Sequence, residues 1–245
     1  MKCGVRIMTR EEEALLEDRA LIAFWDRAFT AAEKEEERDG KEADWRALAP
    51  SDKLFRAAAL MGQCENVLDF GCGSGWAGII AAKSGCGHVT AADAAPGAVR
   101  AARENAGRFG VTDRVRAVTV SAGWLESVPS GTYDGLFCSN VLDVIPPETA
   151  GAVIRETSRV TMRGAAVIVG LNYYLSPEAA AARGLQLIDG ERLYMDGVLR
   201  LVSRTDEKWA QIFSPWYTVE KLEHFAWPGE TEERRRLFRL RKRDA

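Results

Sequence analysis

Residues 67–79 read Val67-Leu68-Asp69-Phe70-Gly71-Cys72-Gly73-Ser74-Gly75-Trp76-Ala77-Gly78-Ile79. The apolar run 67–70 fits a short strand, and Trp76–Lys83 fits a helix. The three alternating glycines between them make a strand–turn–helix that brings backbone N–H groups close to a ligand. The spacing is G-x-G-x-G, which differs from the G-x-G-x-x-G of a dinucleotide site, and no Gly-Lys-Ser/Thr follows as a Walker loop would require. Asp69 sits just ahead of the glycines, where a carboxylate suits an ammonium or an ordered water better than a pyrophosphate. A second acid, Asp93, ends the next apolar run (88–92). It stands about twenty residues beyond the glycines, the distance of a carboxylate that accepts from ribose hydroxyls.

VLDFGCGSGWAGI followed by HVTAADAAPGAV resembles the cofactor half of class I S-adenosylmethionine-dependent methyltransferases, and Thr132–Leu142 (TYDGLFCSNVL) resembles their fourth-strand motif. The resemblance spans roughly residues 55–172. It implies a three-layer Rossmann-like α/β fold with a mostly parallel seven-stranded sheet, and S-adenosyl-L-methionine as cofactor. It also implies that Gly71, Cys72, Gly73 and Gly75 cradle the methionine and ribose portions, that Asp69 helps hold the amino group, and that Asp93 takes the ribose hydroxyls. Ala94 is then placed against the adenine. After the third strand this chain reads Ser121-Ala122-Gly123-Trp124, without the acid that similar proteins often present to the adenine amino group; Ser121, backbone atoms or the Trp124 ring would have to serve. Asn140 opens the next loop as a further ligand contact. Asp143 is the acid nearest the expected methyl position and the choice for a base or substrate anchor, although an acid there can also serve only a local structural purpose.

Away from that core the pattern is plainer. Leu16, Ala20, Phe24 and Ala28 recur at helical spacing behind a capping box at Thr9–Glu12, so residues 10–38 read as one or two helices, with Gly40 as a break. Trp45–Leu60 resumes the helical pattern around Pro50 and Ser51. Trp25 and Trp45 are possible lid residues as well as ordinary packing residues. Strands at 67–70, 88–92, 114–120, 133–139 and 165–171 alternate with helices at 76–83, 96–108 and 148–162, the order of a parallel sheet whose ligands lie beyond the strands' carboxyl ends. Between residues 172 and 217 the alternation stops. Ser176-Pro177 starts a helix and Gly184 ends it, Asp196-Gly197 joins two β-prone runs into a hairpin, and Asp206–Phe213 is a short helix. Thr218–Phe225 reads as another helix and Arg234–Leu240 as the last strand, its basic residues solvating an outer edge.

The division is therefore an N-terminal helical cover (1–60), a cofactor-binding core (61–171), a substrate cover with a hairpin (172–217) and a C-terminal helix and strand completing the core (218–245). Tyr173, Tyr174, Tyr194, Trp216 and Tyr217 are aromatic candidates for an acceptor pocket. The formal charge of −3 speaks against a nucleic-acid partner, and no apolar run is long enough for a membrane span. Five cysteines without a C-x-x-C pair read as reduced thiols of a cytoplasmic protein, and two histidines do not make a metal site. The expected function is methyl transfer to a small-molecule substrate by a monomer or homodimer. An RNA or protein methyltransferase is the enzymatic alternative, and a non-catalytic scaffold retaining the fold is the other.

Overall fold

Five short segments rich in Val, Ala, Leu and Phe, buried on both faces, define the centre of the chain. They are β1 (Asn66–Phe70), β2 (His88–Asp93), β3 (Val115–Thr119), β4 (Tyr133–Ser139) and β5 (Thr161–Leu171). In the computed structural model, which describes residues 10–36 and 44–244, these strands run parallel in the order β3-β2-β1-β4-β5. The strand order reverses between β1 and β4, which opens the crevice where ligands of such sheets sit. Two further strands, β9 (Tyr217–Phe225) and β10 (Arg235–Lys242), complete a seven-stranded sheet, with β10 antiparallel between β5 and β9. This is the mostly parallel, Rossmann-like sheet that the resemblance implies.

Helices cover both faces. Helices α2 (Asp52–Leu60), α3 (Trp76–Lys83) and α4 (Pro96–Arg108) bury Leu54, Ile79, Ile80, Val99 and Ala102 on one side, together with Val67, Val89 and Phe137 of the sheet. On the other side lie α5 (Trp124–Ser127), α6 (Pro147–Val160) and α8 (Asp206–Phe213). Trp209 and Phe213 of α8 are fully buried and stack on each other, and Phe213 meets Phe238 of β10 edge-on. Thus α8, placed by sequence in the substrate cover, packs as part of the core layer. Burying each such aromatic ring contributes roughly 1.5–3 kcal/mol.

Between β5 and α8 lie α7 (Pro177–Ala181) and a small antiparallel sheet of β6 (Gln186–Ile188), β7 (Arg192–Met195) and β8 (Val198–Val202). Ser176 caps α7 by accepting from the Ala179 N–H, and Gly184 takes a positive φ beyond its end. Asp196 and Gly197 both adopt positive φ (53° and 72°), the two-residue hairpin turn expected of Asp-Gly. This unit has its own small core of Leu175, Ala180, Leu193 and Leu201.

Two sequence expectations are corrected. Residues 218–225 form the strand β9, not a helix. Pairing with β10 slips by one residue at Glu220, so Val219 and Leu222, three apart, pack on the same core face, while Phe225 packs on the opposite one. The basic run 234–240 is not an outer edge: β10 is internal, and Arg236 is only 1% exposed. The helix start expected near Pro50 and Ser51 is present: after a 3-10 turn (Trp45–Leu48), α2 begins behind Ser51, whose Oγ accepts from the Leu54 N–H. Residues 10–36 form one helix, α1, while the capping box at Thr9 and the break at Gly40 lie outside the described residues.

Candidate active site

At the carboxyl end of β1 the backbone turns sharply, with Gly71, Gly73 and Gly75 all at positive φ (69°, 53° and 77°). Gly71 and Cys72 donate to the Ala92 carbonyl of β2 at 2.8 and 3.1 Å. Gly73 N–H donates to Asp93 Oδ2 and Ala95 N–H to Asp93 Oδ1, each at 2.9 Å. One carboxylate thus ties the glycine turn to the loop that begins α4. A carboxylate has about four acceptor positions, so Asp93 retains capacity for two hydroxyl donors. Burial pushes its pKa up, while its backbone donors hold it down.

Asp69 lies beneath the turn, 2% exposed, with Oδ2 accepting from the Gly78 N–H of α3 at 3.0 Å. Burial raises its pKa to about 7. It therefore acts from below the cradle, on the geometry of the turn. Cys72 is buried and its thiol pKa is raised, which leaves it a packing residue without nucleophilic character. Val120 N–H donates to the Asp93 carbonyl, bringing Ser121–Trp124 beside Asp93. Ser121, Ala122 and Gly123 are exposed there, Ala94 is half-buried at the same rim, and Trp124 packs into the core face.

Asn140 follows β4 with φ 56°, a left-handed conformation that asparagine tolerates better than most residues. Its N–H donates to the Gly170 carbonyl, and its Oδ1 is buried without a hydrogen-bond partner. An orphaned acceptor on a strained residue at the end of a central strand marks a place where a ligand donor belongs.

Two elements close over this edge. Helix α1 crosses the glycine turn, and a Cβ added at Gly73 would meet Phe29 Cζ at 3.0 Å. One end of the crossing is fixed where Asp26 Oδ1 accepts from the Gly97 N–H of α4 at 2.6 Å. The other is fixed where Glu17 accepts from the Tyr194 hydroxyl of β7 at 2.6 Å. Beneath them lies a cavity of about 310 Å³. Its walls are Phe24 and Trp25 of α1, Asn140 and Val144, Asn172, Tyr173 and Leu175, Leu199–Leu201 of β8, and Trp227 with Arg235. The volume is at the small end of the range for small-molecule pockets.

The predicted acceptor aromatics divide accordingly. Tyr173 lines the cavity and bonds Arg183 through its hydroxyl, and Tyr194 serves the α1 contact. Tyr174 is exposed, whereas Tyr217 is buried against Thr157 at the far end of the sheet, with Trp216 packed on the same core face. Trp25 is at the cavity, but Trp45 packs on Phe55 away from it. Phe24, Arg200 and Trp227 were not anticipated, because nothing local in the sequence distinguishes them from ordinary helix, hairpin and loop residues.

Asp143 does not reach the cavity. It is fully buried; Oδ2 accepts from the Asn172 N–H at 2.6 Å, its carbonyl accepts from Val202 N–H at 2.7 Å, and Oδ1 has no partner. Burial raises its pKa to about 6, opposed by the Asn172 donor and by Arg236. Arg236 donates to the Asn172 and Arg204 carbonyls and to Asp206, so this buried group holds the insertion onto the sheet. Among the described residues no three His, Cys, Asp or Glu side chains gather as a metal site would require, and no helix is long and apolar enough to cross a membrane.

The sheet order, the glycine turn and the acid closing β2 define a class I S-adenosylmethionine-dependent methyltransferase fold, and the chain has that fold. A family model described as a methyltransferase domain matches residues 67–164. Among curated proteins, a ribosomal protein L11 methyltransferase of Dechloromonas aromatica is 61% identical over 99 residues, 40% of this chain and 31% of that protein. The corresponding protein of Cupriavidus necator is 39% identical over 118 residues, 48% of this chain and 36% of its own length. The chain thus spans about a third of these relatives. Among solved structures, 1,6-didemethyltoxoflavin-N1-methyltransferase of Burkholderia thailandensis, with bound 1,6-didemethyltoxoflavin and S-adenosylhomocysteine, superposes over 98% of this chain and 93% of its own (TM-score 0.66, 15% identity).

Proposed function

We propose that this protein is an S-adenosylmethionine-dependent methyltransferase acting on a small-molecule acceptor. The observation that carries the reading is the partly open cavity beside the glycine cradle, covered by α1 and the β6–β8 unit and bordered by Asn140. The glycine turn suits the cofactor. Positive φ at Gly71, Gly73 and Gly75 keeps side chains out of the cradle, Asp93 has acceptor capacity for ribose hydroxyls, and Ser121–Gly123 leave the adenine side open. When bound, S-adenosylmethionine supplies a methyl group on a positively charged sulfur, an already activated donor.

This chain's own contribution is then positional. The aromatic walls and α1 exclude water, and Asn140 orients the acceptor; alignment in a desolvated pocket is worth most of the rate in such a reaction. Asp143, fully buried and outside the cavity lining, ties the loop that carries Asn140 to Asn172 at the end of β5 and acts in this reading as a positioning residue. A protein acceptor is the second reading, favoured by the names of the curated relatives; a cavity of about 310 Å³ has room for little more than one side chain of such a partner.

Calorimetric titration of the protein and of Asp93→Ala with S-adenosylmethionine tests the assignment. Saturable binding that weakens ten-fold or more in the variant supports it, about the loss of one charge-assisted hydrogen bond. A folded parent protein that binds no S-adenosylmethionine would leave a scaffold that keeps the fold without the activity.

A further inference from the structure

Three consecutive residues of β8, Leu199, Arg200 and Leu201, line the cavity. A regular strand cannot do this, because successive side chains face opposite ways. The pairing with β7 steps from Leu193–Leu201 to Tyr194–Leu199, so Arg200 is the extra residue of a bulge. Bulges re-aim side chains next to functional sites, and this one delivers a guanidinium to the cavity wall. Its Cζ stands 4.0 Å from the centroid of the Phe24 ring, and its Nε is buried without a partner.

The other cavity arginine is different. Arg235 is held by both oxygens of Glu230 and donates to Asn172 Oδ1. Among the described residues no carboxylate pairs with Arg200. The side chain is half-buried, but its Nε–H is shut off from water without an acceptor; such a donor is costly, and a ligand oxygen is the direct remedy. Asn140 Oδ1 is orphaned on the same cavity and has the opposite need, a donor. The same cavity is lined by the aromatic side chains Phe24, Trp25 and Tyr173, with Phe24 and Trp25 edge-on to each other.

We propose that the acceptor is a flat aromatic acid. Its carboxylate pairs with Arg200, a ring N–H or O–H donates to Asn140 Oδ1, and its ring lies among Phe24, Trp25 and Tyr173. A guanidinium matches a carboxylate in two parallel hydrogen bonds, which fixes orientation as well as affinity, and stacking on Phe24 holds the guanidinium plane in place. The role as acceptor rests on the methyltransferase reading; the anion site does not.

The test is calorimetry on the full chain with indole-2-carboxylate and indole-2-carboxamide, with and without saturating S-adenosylhomocysteine. The carboxylate is expected to bind at least about ten-fold more tightly than the amide, the value of one charge-assisted hydrogen bond. Arg200→Gln should abolish that preference while leaving S-adenosylhomocysteine affinity and melting temperature near the parent values, and Arg200→Lys should keep part of it. Equal affinities, a preference that survives in Arg200→Gln, or no saturable binding of either probe to folded protein overturns the proposal. If the Arg200-dependent preference appears but S-adenosylhomocysteine does not bind, the anion site stands and the methyltransferase reading falls.

Discussion

Gly71 lies against Val141 so closely that a Cβ at position 71 would fall well inside van der Waals contact with Val141 Cγ2. The turn after β1 and the loop after β4 are therefore packed against each other. Gly71→Ala meets both this clash and a φ of 69°. It is expected to cost about 2–4 kcal/mol, from αL strain plus overpacking. Val141→Ala in the same chain should recover part of that cost, because it removes the clash and leaves the strain. Gly110→Ala, also at positive φ but facing open space, should cost only about 1–2 kcal/mol. Urea denaturation of the four proteins reads all three differences.

Asp69 carries a pH signature. Its pKa rises from 3.8 to about 7 on folding because burial disfavours the charge. Between about pH 4 and pH 7 the native chain holds a proton that the unfolded chain has released, so stability falls as pH rises through that window. Asp69→Asn keeps an acceptor for the Gly78 N–H and removes the titration. Its stability should fall less steeply over the same range, with a residual slope below pH 6 from Asp143, whose pKa is raised to about 6. Denaturant midpoints at a series of pH values, identical slopes for the two proteins being the contrary result, decide the point.

Asp26 fixes α1 across the cradle through the Gly97 N–H. Asp26→Ala removes this acceptor from the first turn of α4, a loss of about 0.5–2 kcal/mol by analogy with helix caps. Amide exchange along α1 and at Gly97 should quicken, and S-adenosylmethionine should dissociate faster, since the roof over Gly73 is loosened. Unchanged exchange at Gly97 would show that the contact contributes nothing in solution.

Arg236 is the buried tie between sheet and insertion. Removing it as Arg236→Met leaves two carbonyl oxygens without their donor and two carboxylates, Asp143 and Asp206, without their cation. A loss of roughly 3–5 kcal/mol is expected, as for breaking one side of a buried charged group. Adding Asp143→Asn should cost less than the two single losses summed, because the groups share one network. Additive values from chemical denaturation would mean that Asp143 and Arg236 act separately.

Much of this was legible locally. Gly71, Gly73 and Gly75 needed positive φ and took it, and Asp196-Gly197 made the hairpin turn. The apolar strands 67–70, 88–92, 114–120 and 133–139 formed within a residue or two of their expected ends. β9 is a strand rather than the expected helix because it pairs with β10, further along the chain, and the bulge at Glu220 that sets Val219 and Leu222 on one face comes from that pairing. Asp143 is an acid at the expected strand end, but whether it faces a cavity or the protein interior depends on Arg236 of β10 and on Asn172 just past β5.

By itself the sequence determined the α/β order, the glycine turn and the acid that closes it, because backbone φ preference and apolar patterning act over a few residues. Tertiary structure alone decided three things: that α1 folds back over the cradle, that β10 enters between β5 and β9, and that a bulge in β8 turns Arg200 toward Asn140's cavity. Those choices depend on pairing register and on which buried groups find partners, and both are properties of contacts between segments far apart in the chain.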